Sequence, residues 1–279
     1  MLSRLKNKRL LYGFLVAPAV MILFVLYSAL LGRSDTTVVN SFCSEQECEC
    51  DDWYRHGVDQ YQVENNVWNK GSEDSYQQCV FISDGDRGVN AGWVWTWPGV
   101  RFNVVAYPNV MYGNNPWLPA TSPEFPVRID EIDCLEAEFE VAQEGSGKGN
   151  LAFDLWVTSN ATAQPSDITH EIMIWLSHEG IQTAGSRVDT IEIDGHEVEL
   201  FRKENHSPSD EYAWTYLAFV YQSELAEGSI SFDEIFRYLV EKNYVASDEY
   251  LASIHLGNEI VSGYGQTLIQ DYEIRFCDQ

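Results

Sequence analysis

From residue 53 onward the chain is written in short stretches of alternating polarity, broken by Gly, Pro, Asn and Asp, the pattern of strands that bury one face. The stretch 60–68 sets Tyr61, Val63, Asn65 and Val67 on one side and Glu64, Asn66 and Trp68 on the other. Residues 93–97 line up Trp93, Trp95 and Trp97 on one face. The stretch 149–157 sends Leu151, Phe153, Leu155 and Val157 inward, and Ala152, Asp154 and Trp156 the other way. In 170–176, Glu171, Met173 and Trp175 oppose Ile172, Ile174 and Leu176, and in 254–260, His255, Gly257 and Glu259 oppose Ile254, Leu256 and Ile260. Further strand-like runs fall at 188–193, 197–201 and 212–221, with no chemistry legible in them. Ser231 and Glu234 read as a capping box that opens the chain's one helix, with Ile235, Phe236, Leu239 and Val240 as its apolar stripe. Many short strands and one helix predict an all-β sandwich with the helix packed outside.

The first 33 residues follow a different rule. Arg4, Lys6, Lys8 and Arg9 precede a run from 10 to 31 broken only by Tyr12, Gly13, Pro18, Tyr27 and Ser28, and about 22 residues suffice to span a bilayer. No clean Ala-x-Ala site follows, so a signal peptide and an uncleaved membrane-spanning anchor both fit, and either exports the body. Residues 34–52 are polar and acidic and read as a linker, leaving 53–279 as the functional domain.

Composition then narrows the partners. The chain has 43 acids against 17 bases, a net charge of -26. Such a surface repels nucleic acid and anionic lipid, so contact with a membrane is expected only through the N-terminal segment. Six cysteines in an exported chain favour disulfides over metal sites, and the six histidines show no metal-ligand spacing, so no metal or cofactor is expected.

The candidate chemistry sits in His170-Glu171-Ile172-Met173-Ile174-Trp175-Leu176. A carboxylate beside an aromatic platform suits glycosidic-bond cleavage, although an edge-strand glutamate facing solvent fits the same residues. This stretch resembles the nucleophile strand of glycoside hydrolase family 12, the small endo-β-1,4-glucanases, and other motifs follow in the family's order. Asn65-Asn66-Val67-Trp68, Trp95-Thr96-Trp97, Tyr107-Pro108-Asn109-Val110, Ala152-Phe153-Asp154-Leu155-Trp156 and Gly257-Asn258-Glu259 are each similar to a family segment. Asn258 stands where the family has Thr, and Ile260-Val261-Ser262 replaces Pro-Phe-Thr.

The resemblance implies a β-jelly roll of two curved antiparallel sheets with an open cleft. It also implies a monomeric, retaining enzyme acting on a β-1,4-glucan such as cellulose, mixed-linkage β-glucan or xyloglucan. A carbohydrate-binding jelly roll without turnover is the alternative. Glu171 is then the nucleophile, Glu259 the acid/base, and Asp154 the neighbour that tunes Glu171. Asn66, Trp68, Trp95, Trp97, Tyr107, Asn109, Met173 and Trp175 line the sugar site, and Gly257 leaves room for a sugar. Cys50 pairs with Cys79. The pairing of Cys43, Cys48, Cys134 and Cys277 stays open, with Cys134–Cys277 the companion by elimination.

Five of the 17 bases and none of the acids lie in residues 1–33, so the exported part carries -31. Screening should relieve its self-repulsion, and a thermal melt is expected at higher temperature in molar NaCl than at low salt. A flat or falling response contradicts the saline or acidic medium that this excess of acids suggests, and leaves plain solubility as its reading.

Overall fold

The computed structural model describes residues 39, 42–44, 47–99, 101–193, 195–206 and 212–276. The expected spanning segment at 1–33 lies outside them, and among the described residues no helix is long and apolar enough to cross a membrane.

Among the described residues fourteen strands form one continuous, mixed sheet that folds over itself as a sandwich. One layer runs in the order β1 (Arg55–Val58), β2 (Tyr61–Glu64), β5 (Asn109–Gly113), β13 (Tyr250–Gly257), β7 (Leu135–Thr158), β8 (Ile168–Glu179), β11 (Trp214–Tyr221), β10 (His196–His206) and β9 (Ser186–Ile193). In the other, β14 (Ile260–Phe276) pairs with β4 (Val89–Trp97) and β7, β3 (Gln77–Asp84) with β4, and β12 (Glu227–Ser231) with β7. The remaining strand, β6 (Val127–Arg128), pairs with β13. The 24 residues of β7 serve both layers: residues 135–149 pair with β14, and 149–158 with β8. Glycine at 145, 147 and 149 lets β14 approach at this crossing, since a Cβ on Gly147 would lie 2.1 Å from the Ser262 carbonyl oxygen.

Among the described residues the expected antiparallel arrangement holds for every strand pair but one. β11 lies parallel to β8, with Tyr216 opposite Glu171, because it inserts between β8 and the β9–β10 hairpin instead of extending the meander. Between the layers, the inward sets read from the alternation, including Val63, Leu151, Phe153, Leu155, Ile172, Ile174 and Leu256, are buried in one cluster.

The helix α1 spans Phe232–Glu241 and buries Ile235, Phe236 and Leu239 against that cluster, leaving Val240 half-buried. Its start is a correction: Ser231 is the N-cap residue but makes no side-chain cap bond. Its hydroxyl donates to Asp233 at 2.9 Å, and Arg237 binds the other Asp233 oxygen at 2.9 Å, so a buried aspartate draws the serine away.

Cys50 pairs with Cys79, as the family pattern implied, and Cys43 with Cys48. Cys134 is disulfide-bonded, and its expected companion Cys277 lies outside the described residues. The described part of the supposed linker is not a free tether: Val39, Phe42, Cys43 and Cys48 pack on Cys79 and Val94, and Phe42 meets Phe81 at 5.7 Å. Apolar side chains and the Cys50–Cys79 disulfide anchor this acidic stretch to β3 and β4, while Cys43–Cys48 closes a loop within it.

Candidate active site

Strand register brings the carboxyls together. On β7, Asp154 lies opposite Met173 of β8 and His255 of β13, and Glu171 lies opposite Trp156. Beyond Gly257, where β13 ends, Glu259 sits on the two-residue link to β14. All three carboxyls line one cavity of about 410 Å³, within the range of small-ligand sites.

Asn66, Trp68, Tyr107 and Met173 also line it, as expected from the sequence. Trp68 is 44% exposed and offers a flat face. Trp95, Trp97, Asn109 and Trp175 do not line this cavity. The Trp97 indole is 1% exposed, stacks on Tyr76 at 4.0 Å and donates to Gln78 at 2.9 Å, so it belongs to the core. Trp95 is buried and borders a smaller, polar cavity of about 260 Å³ that adjoins the first at Glu259. Asn109 is fully buried and donates to the Tyr107 carbonyl at 2.7 Å, beneath the cavity floor. Trp175 packs with Met173 and Tyr216 in a second buried cluster.

Gly257 serves a different purpose from the one expected. A Cβ there would meet the Pro108 carbonyl oxygen at 2.6 Å and the Tyr107 ring at 2.9 Å, so protein fills the space that a sugar was expected to use.

Several lining residues escaped the sequence reading. Trp53 and Trp117 expose indoles at the cavity mouth, and Trp117, Trp156 and Trp214 meet edge to face at 4.9 and 5.2 Å. Glu64 is a fourth carboxyl, stapled to its cross-strand partner Arg55 at 2.7 Å. Trp214 donates its indole N–H to Glu171 Oε2 at 2.6 Å, and His206 Nε2 lies 3.8 Å from the same oxygen. The alternation of Trp214, Tyr216 and Ala218 was the available signal, but only the parallel pairing shows that it faces Glu171.

Burial governs the electrostatics. It pushes the Glu171 carboxyl up to about 8, with the charge of Glu259 adding to the rise and the Trp214 bond and Lys203 opposing it. It pushes Glu259 to about 7 against the pull of the Asn150 amide. Asp154 rises well above its ordinary value through burial and the two neighbouring glutamates, and its Oδ1 has no hydrogen-bond partner among the described residues. The rise at Glu171 runs against the ionised state that a nucleophile needs, because three carboxyls, Asp154 buried and Glu171 and Glu259 partly so, cannot all ionise in one cavity and share their protons as a group. The donors distinguish them: Glu171 has an indole N–H and a nearby lysine, while Asp154 sits between two carboxyls and is the natural holder of a proton. His255 lines the floor as a neutral ring, driven down to about 3 by burial, and His170 pairs with Glu249 outside the cavity. Among the described residues no cluster of His, Cys, Asp or Glu could hold a metal ion.

The glycosyl hydrolase family 12 model matches residues 59–275. The chain belongs to this family. Endoglucanase S of Pectobacterium parmentieri is 26% identical over 78% of this chain and 82% of its own length. A protein of Phytophthora nicotianae named as an inactive glycoside hydrolase is also 26% identical, over 77% and 85%. The native family 12 xyloglucanase of Bacillus licheniformis shares the fold with a TM-score of 0.76 at 23% identity, covering 82% of this chain and all of that one.

The raised carboxyls bear on stability as well as chemistry. A carboxyl that binds its proton more tightly when folded favours the fold below its unfolded pKa near 4.5, and this advantage is lost as pH rises through about 7 to 8. The ligand-free protein should therefore melt at lower temperature as pH rises across that window. Glu171→Gln, with no proton to lose, should flatten the fall and melt at least about 2 °C above wild type at alkaline pH, with no gain in acid. Parallel melting curves for the two proteins would contradict the shared-proton cavity.

Proposed function

We propose that the exported body of this family 12 glycoside hydrolase is a retaining endo-β-1,4-glucanase in which Glu171 is the nucleophile and Glu259 the acid/base. The supporting observation is the convergence of Glu171, Glu259 and Asp154 in one cavity that also exposes Trp53, Trp68 and Trp117. Drawing three carboxyls together away from water costs the fold stability, a cost that catalysis accounts for and packing does not, and half-exposed indoles are suited to stacking on pyranose rings.

In the first step Glu171 attacks the anomeric carbon while Glu259 gives its proton to the departing glycosidic oxygen, leaving a glycosyl ester on Glu171. In the second, Glu259, now a carboxylate, takes a proton from water as the water oxygen attacks the same carbon. The ester bond breaks, Glu171 leaves as a carboxylate, and the product keeps its β configuration. Substrate entering the cavity brings hydroxyl donors that favour ionised Glu171, while Asp154 keeps a proton and hydrogen-bonds to it. Trp68 stacks on a glucosyl ring upstream of the cut, with Asn66, Tyr107 and Met173 shaping the floor.

Residues 1–33 supply export, and the disulfides support an oxidising compartment for the body, which acts as a monomer on a neutral polysaccharide. The second reading, glucan binding without turnover, draws on the relative named as inactive. It is separated by a reducing-sugar assay on barley β-glucan and xyloglucan.

Glu171→Gln should lose turnover on every glucan, by at least about 10³-fold, while keeping binding. Proton NMR of the first-formed product should show the β-anomer. An initial α-anomer, or full activity in Glu171→Gln, overturns the assignment.

A further inference from the structure

Behind Glu259 lies an unbroken run of buried polar groups that the two-step reaction does not call on. Trp93 Nε1–H donates to Asn258 Oδ1 at 2.7 Å, and the Thr267 hydroxyl donates to the same oxygen at 2.7 Å. Asn258 Nδ2–H donates to the Asn150 carbonyl at 2.5 Å. Asn150 and Glu259 then bind each other three times. The Asn150 N–H donates to the Glu259 carbonyl at 3.1 Å, the Glu259 N–H to Asn150 Oδ1 at 3.0 Å, and Asn150 Nδ2–H to Glu259 Oε2 at 2.5 Å. Trp93, Asn150, Asn258 and Thr267 are all buried to 2% exposure or less.

The direction of each bond is fixed by chemistry. An indole N–H can only donate, so Asn258 must turn its oxygen to Trp93 and its amide nitrogen to Asn150. A backbone N–H also can only donate, so Asn150 must turn Oδ1 to the Glu259 N–H. Its Nδ2 is left facing the Glu259 carboxyl, and against an N–H donor Oε2 can only be an acceptor. The backbone bonds alone would close the β13–β14 link, so that structural task leaves the side-chain bond to Oε2 unexplained. Asn258, where the family motif has threonine, is the group that joins this link to the core.

We propose that Asn150, held by Asn258 and Trp93, is a positioning residue for the general acid: it fixes the Glu259 carboxyl so that Oε2 accepts and the transferable proton rides on Oε1. The inference rests on the reading of Glu259 as acid/base. When Oε1 has given up its proton, the same amide N–H stabilises the carboxylate that must activate water in the second step. The acid is therefore aimed without any group in the substrate path being spent on aiming it.

The test compares kcat/KM, which reports only the steps up to glycosyl transfer, on phenyl and 2,4-dinitrophenyl β-cellobiosides. The phenolate needs protonation to depart and the dinitrophenolate does not. General acid catalysis contributes about 10² to 10⁴-fold, so Asn150→Ala should lose at least about 10-fold on the phenyl substrate and under about 3-fold on the dinitrophenyl one. Asn150→Leu matches the amide in size and lacks the donor at any pH, and it should show the same split; it carries the test if the alanine variant does not fold. Equal losses on both substrates, or a wild-type ratio in Asn150→Leu, overturn the proposal. A wild-type protein that cleaves neither aryl cellobioside nor barley β-glucan overturns the reading of the site itself, and the inference with it.

Discussion

Keeping several carboxyl groups, largely shielded from solvent, in one cavity is the constraint around which this molecule is built. An unpaired carboxylate taken out of water is strongly disfavoured, and charges so placed repel one another. The fold meets this by giving each group a different environment on adjacent strands. Asp154, on the middle strand, is left to hold a proton, Glu171 receives the Trp214 indole N–H, and Glu259 receives the Asn150 amide. Their register across β13, β7 and β8 is therefore both a packing solution and an arrangement of proton affinities.

The indoles divide along the same line. Trp93 and Trp97 lie in the sandwich, with their N–H groups taken up by Asn258 and Gln78, whereas Trp53, Trp68 and Trp117 keep a face in water at the cavity mouth. Trp156 and Trp214 lie between these groups, buried but bordering the cavity. An aromatic wall that changes from core to contact surface lets one set of side chains stiffen the sheet and present a stacking face.

Much of this was legible in the sequence because alternation is a local property. The inward and outward sets of β7, β8 and β13 could be read directly, and with them Asp154 and Glu171, whereas Glu259 lies past the end of β13 and was found by its Gly257-Asn258-Glu259 motif. Alternation does not say which layer a face belongs to, and this is why Trp95 and Trp97 looked like cleft residues. β4 lies in the other layer, with its indoles turned into the sandwich. Trp214 and His206 were hidden for a related reason. Their closeness to Glu171 depends on a parallel pairing over about forty residues of chain, a long-range contact that no local pattern encodes. The Gly257 reading failed because a glycine announces a close approach without naming what approaches.

The central claim is that Glu171 becomes covalently glycosylated. Incubation with 2,4-dinitrophenyl 2-deoxy-2-fluoro-β-cellobioside, whose fluorine slows both formation and breakdown of the glycosyl ester while its activated leaving group restores the rate of formation alone, should trap that ester. Mass spectrometry of the proteolysed protein should then find one fluorocellobiosyl group, on the peptide and side chain of Glu171. A label on Glu259 or Asp154 instead, or fluorocellobiose released by a protein that is never labelled, would contradict the account.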